Sequence, residues 1–94
     1  MYAVVRRYSF DPLHSDEIDR KVRDGFLPLI KQTPGFVTYY WLDSGQGTAA
    51  SVGIFLEKAR AEESILLAED FVRRELGDLL GKPEVTQGMV QAHA

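Results

Sequence analysis

The stretch from Phe36 to Leu56 constrains this chain more than any other, because it is apolar on whichever side a strand presents. Phe36 to Leu42 carries strand-favouring side chains almost throughout, and Thr48 to Leu56 follows after the turn Asp43-Ser44-Gly45-Gln46-Gly47. The short, glycine-rich link makes the two strands an antiparallel hairpin. With Ser44 to Gly47 as the loop, Asp43 stands opposite Thr48. One sheet face then carries Val37, Tyr39, Trp41, Ala50, Val52 and Ile54; the other carries Phe36, Thr38, Tyr40, Leu42, Ala49, Ser51, Gly53 and Phe55. Neither face is polar. An antiparallel sheet with one wet side alternates apolar with polar residues, and this one does not.

The flanking segments supply what can cover such a sheet. Tyr2 to Phe10 reads as a strand closed by Asp11-Pro12. A helix follows, with Ser15 as its N-cap and Asp16 and Glu17 in the first turn, where negative charge suits the helix dipole. Ile18, Val22, Phe26 and Leu29/Ile30 recur along one face of it. Pro28 interrupts the pattern: lacking an N–H, it leaves the Asp24 carbonyl without that partner and kinks the helix. Such a kink bends the helix around a twisted sheet or opens the mouth of a pocket. Thr33-Pro34-Gly35 ends it.

A second helix runs from Ala59 to Leu76, with Ala61, Ile65, Ala68, Val72 and Leu76 inward. Glu69–Arg73 and Asp70–Arg74 form i,i+4 pairs on its wet side. Gly77, Gly81 and Pro83 stop it, and Val85 to Ala92 forms a weaker fourth strand. The order β-α-β-β-α-β is the ferredoxin-like α+β arrangement, one domain over residues 1–94, with two helices on one face of a four-stranded antiparallel sheet. Two helices shield one side only. The remaining side must meet another surface, most simply its own copy across a two-fold axis. A homodimer is expected, through the face holding Val37, Tyr39, Trp41, Val52 and Ile54. Which face meets the helices is open at this point.

Composition removes several classes of function. A chain of 94 residues has a thin core that a partner would help. Net charge is −3 with both signs interspersed, giving no electrostatic reason to expect nucleic acid or an anionic membrane as partner. There are no cysteines, hence no disulfide, thiolate nucleophile or Cys-based metal site. No apolar run approaches a membrane span and the start lacks a signal-peptide core, so a cytoplasmic protein is expected. His14 and His93 lie too far apart to make a metal site by spacing. Gly45-Gln46-Gly47-Thr48-Ala49-Ala50 matches the letters of a dinucleotide fingerprint, but a strand follows where that fingerprint must open a helix.

Small residues beside large ones mark where a small apolar or aromatic ligand could sit. Ser51 and Gly53 on the third strand neighbour Phe36, Tyr40 and Phe55. The hollow this leaves is filled either by a helix or by a ligand. Arg6 and Arg7 point to opposite faces, so one of them turns inward and needs a carboxylate from a helix or partner, or else a ligand anion. The ligand-binding candidates are therefore Arg6, Arg7, Phe36, Tyr40, Ser51 and Phe55. No convergent set of titratable groups identifies a catalytic residue.

The helix end Pro34-Gly35-Phe36 leading into Tyr39-Tyr40, and the third strand closing as Ile54-Phe55-Leu56-Glu57-Lys58 before an Ala/Glu-rich helix, resemble the dimeric α+β barrel superfamily. Within it the chain is similar to small proteins of the antibiotic-biosynthesis-monooxygenase type, over nearly its whole length in element order. The resemblance implies a sheet-to-sheet dimer with a ligand between each sheet and its helices. It also implies either a cofactor-independent monooxygenase acting on an aromatic or quinone-like compound, with no cofactor, or a non-catalytic dimer that binds a small ligand or serves a structural role. Haem-degrading members use an asparagine, a histidine and a tryptophan; this sequence has no asparagine, and neither histidine falls on the second helix. Phe55 stands where many relatives carry tryptophan. Haem breakdown is not expected.

Overall fold

A computed structural model describes residues 1–94. The strands are β1 (Tyr2–Ser9), β2 (Phe36–Asp43), β3 (Thr48–Phe55) and β4 (Glu84–Met89), and they form one antiparallel sheet in the order β2-β3-β1-β4. Between β1 and β2 a short 3₁₀ turn (Pro12–His14) leads into α1 (Ser15–Lys21). A wide π-helical turn (Val22–Phe26) and α2 (Leu27–Ile30) continue the run. Between β3 and β4 lie α3 (Lys58–Phe71) and a second wide turn (Val72–Leu76). No helix is long and apolar enough to cross a membrane. Both helical runs pack on one sheet face, as the ferredoxin-like reading requires. Ile18, Val22, Phe26 and Ile30 from the first run meet Ala61, Ala68, Phe71 and Leu76 from the second over Tyr2, Val4, Tyr8 and Phe55 of the sheet. Gly25 lets the runs touch, since a Cβ there would sit 3.1 Å from the Phe71 ring.

Local details depart from expectation for identifiable reasons. Ser15 is the first helical residue rather than the N-cap; Asp11 caps the preceding 3₁₀ turn by accepting from the Leu13 N–H at 3.0 Å. Pro28 does not break its helix. The wide turn before it shifts the bonding, so that the Leu27 N–H donates to the Val22 carbonyl, and Pro28 falls in the first turn of α2, where an N–H is least needed. Leu29 faces solvent and Ile30 alone ends the inward stripe. On the second helical run, Ser64 and Phe71 are buried while Ile65 and Val72 lie at the margin. Asp70 pairs with both Arg73 (2.7 Å) and Arg74 (2.9 Å), so Arg73 binds Asp70 in place of Glu69. β4 ends at Met89, short of Ala92.

The largest correction is the hairpin register. Asp43 lies opposite Ala49, not Thr48, and the one-residue offset holds up to Thr38↔Ile54; a bulge between Phe36 and Thr38 then restores Phe36↔Phe55. The loop is longer by one residue because the Ser44 N–H bonds the Thr48 carbonyl at 3.0 Å, with Gly45 and Gly47 both at positive φ. Side chains alternate, so this slip exchanges the faces of β2 relative to β3. Tyr39 and Trp41 join Ser51, Gly53 and Phe55 beneath the helices and are not on the bare face. Tyr40 and Leu42 join Val52 and Ile54 on the bare face, where they are 59% and 55% exposed. Val37, beside the bulge, is also exposed.

Candidate functional site

Along β1 the residues Tyr2, Val4, Arg6 and Tyr8 alternate inward, which carries an arginine into the core. Arg6 is 4% exposed. Its Nε donates to the Tyr8 hydroxyl at 2.8 Å, and its guanidinium carbon lies 5.7 Å from the Tyr8 ring centre. Its Nη1 is buried without a hydrogen-bond partner, and no carboxylate forms an ion pair with it. The expected ion pair with an acidic residue is thus absent within the chain. A buried, uncompensated guanidinium costs several kcal/mol, so the observation calls for a function.

Arg6 borders a hollow of about 20 Å³ between sheet and helices. Ser51 and Gly53 form its floor, Tyr39 and Phe55 flank it, and Phe26, Ser64 and Ile65 close it from the helices. The volume suits one oxygen-sized occupant, since a single water needs roughly 10–15 Å³. The space over Gly53 is mostly taken by the Phe55 ring, which a Cβ at that position would meet at 3.1 Å. Burial pushes the Tyr39 phenol well above the usual tyrosine range, the neighbouring Ser51 hydroxyl opposing the shift. Tyr39 therefore stays protonated and can donate.

A second concavity lies at the sheet edge. Asp19, Val22, Arg23 and Leu27 of the first helical run face Tyr39, Tyr40, Trp41 and Asp43 of β2 across an open cleft of about 370 Å³. This is within the size range of small-molecule sites. Trp41 Nε1 donates to Asp19 Oδ1 at 2.8 Å and ties the edge strand to α1. Partial burial raises the Asp19 carboxyl above its ordinary range; the Trp41 hydrogen bond opposes this and the nearby Asp43 adds to it. The Gly45 N–H, 2.8 Å from its Oδ1, holds Asp43 below the usual range, helped by Asp19 and Ser15.

Of the six candidates, the structure brings together Arg6, Ser51 and Phe55 around the hollow. Phe36 packs edge-on against Phe55, ring centres 6.2 Å apart. Arg7 and Tyr40 lie on the opposite side of the sheet, Arg7 because strand alternation turns it from Arg6 and Tyr40 because of the register. Sequence reasoning missed Tyr8, Tyr39 and Ser64. Tyr8 was readable as the inward neighbour two residues from Arg6. Ser64 was readable as a small residue three from Ala61 and four from Ala68 on the helix face.

No family model matches the chain, and no curated protein matches its sequence. Solved structures do. A protein of unknown function from Nitrosomonas europaea superposes with a TM-score of 0.83 at 18% identity, covering 99% of this chain and 91% of that one. The ActVA-Orf6 monooxygenase of Streptomyces coelicolor, solved with nanaomycin D, superposes at 0.71 with 12% identity over 99% and 89%. The haem-degrader MhuD of Mycobacterium tuberculosis, solved with two haems in its active site, superposes at 0.78 with 8% identity over 100% and 99%. The chain therefore shares the ferredoxin-like α+β fold of these structures, the monooxygenase and the haem-degrader among them. No histidine lines the hollow or the cleft.

Proposed function

We propose that this protein is a homodimeric, cofactor-independent monooxygenase-like enzyme that binds a small aromatic or quinone-like compound between sheet and helices, its anionic oxygen on Arg6. The buried, unpaired Nη1 of Arg6 carries this reading. An electron-rich phenolate reacts with dioxygen directly once it is oriented and stripped of water: one oxygen atom enters the ring, the other leaves as water, and the ring supplies all four electrons and the two protons as it becomes a quinone. Arg6 would hold the anion, neutral Tyr39 would donate to it, and Phe26 and Phe55 would exclude water. The dimer is supported by the bare sheet face, where Ala3, Val5, Tyr40, Leu42, Val52 and Ile54 form a continuous apolar surface with no helix over it.

The smallness of the hollow favours a second reading, a dimer that binds a small ligand without turnover. Oxygen uptake with 1,4-dihydroxynaphthalene separates the two. The enzyme reading expects uptake above the spontaneous rate, a loss on the order of 10²-fold in Arg6→Met, and no change in Tyr40→Phe on the other face. Background uptake by the wild-type protein, with binding of the compound retained, would leave the binding module.

A further inference from the structure

We infer that Tyr39 is a movable door between the open edge cleft and the Arg6 hollow, through which an aromatic ligand passes to place its oxygen on the guanidinium. The inference rests on the Arg6 hollow being the ligand site. An engineered cavity that takes up benzene measures about 150 Å³, so the hollow of about 20 Å³ cannot receive a ring as it stands. The cleft can, at about 370 Å³, but Arg6 does not border it. Tyr39 is the one side chain that lines both spaces. It also walls a second void of about 20 Å³ toward Phe71 and Leu76, so its displacement would merge three spaces.

The Tyr39 ring packs against Phe26, centres 5.4 Å apart, while two of its other neighbours have constraints of their own. Trp41 is pinned by its 2.8 Å bond to Asp19, and Phe55 is 1% exposed. Tyr39 stands on an edge strand with a single partner strand, two residues from the bulge at Val37. Opposite it is Gly53, which offers no side chain to brace the ring; a Cβ there would lie 3.6 Å from Tyr39 Cδ2. Across the cleft is the wide turn Val22–Phe26, an irregular stretch of the kind frequent at functional sites.

Stopped-flow binding of 4-nitrophenolate, followed by its own absorbance, tests the door. Tyr39→Ala is expected to speed association about tenfold or more, Tyr39→Phe, which keeps the ring but loses the phenol donor, to act mainly by quickening dissociation, and Gly53→Ala to slow association. Arg6→Met is expected to abolish binding in the wild-type and Tyr39→Ala backgrounds alike. Tyr39→Leu replaces Tyr39→Ala should the latter lose its native circular dichroism. An association rate unchanged by removal of the ring, with binding still dependent on Arg6, overturns the door and leaves the site standing. Binding that is absent from the wild type, or indifferent to Arg6, removes the site and the door together.

Discussion

The two faces of one sheet pose opposite problems in this molecule. The covered face is packed by helices and contains a charge with no carboxylate partner, while the bare face is uncharged at its centre and has no cover. Phe55 and Ile54 are adjacent in β3, yet Phe55 is wholly enclosed and Ile54 only half so. The covered face shows where stability has been given up for a buried cation. The bare face shows where the single chain leaves apolar surface without a cover. On the function proposed above, each deficiency is resolved by a different molecule: a ligand for the first and a second copy for the second.

Substitutions at these neighbours sharpen the contrast. Phe55→Ala should lower unfolding stability by about 3–5 kcal/mol in urea titrations, because it empties an enclosed site. Ile54→Ala should instead act mainly through assembly, so that its loss of stability is largest at concentrations where the wild type is paired and shrinks on dilution. Equal, concentration-independent losses at both positions would mean that the bare face has no partner.

Arg6→Met comes next in size. Replacing an uncompensated buried charge by an apolar side chain of similar length should raise stability by about 1–4 kcal/mol while removing phenolate binding. A destabilised variant would show instead that the guanidinium has a structural partner in solution.

The smallest effect concerns the cleft. The Asp19 carboxyl is raised in the folded state, so its ionised form is disfavoured there relative to the unfolded chain. Stability is therefore lost as pH rises from the unfolded carboxylate range through the folded value, and the penalty is complete above it. Asp19→Asn, which can still accept from Trp41 Nε1, should melt higher relative to wild type at pH 7 than at pH 3. The difference should be a few degrees at most. The same offset at both pH values would show that Asp19 is not perturbed.

Element order, helix faces and an apolar sheet face left uncovered were legible in the sequence, because hydrophobic spacing and turn residues report them directly. The register was not. A one-residue slip normally betrays itself by driving apolar side chains into water, but here both faces are apolar, so either register satisfied the pattern. That ambiguity put Tyr39 and Trp41 on the wrong face and nominated Tyr40 for the site in place of Tyr39. Arg6 was visible as one of two strand arginines, with alternation dictating that only one turns inward. Its lack of a carboxylate was not visible, since several acidic residues on the helices could have reached it and only packing shows that none does.

The mass of the protein in solution tests the central claim most directly. Light scattering at micromolar concentration should report twice the 10.6 kDa of one chain. A mass of one chain across that range, with Tyr40, Leu42 and Val52 open to solvent, would contradict it.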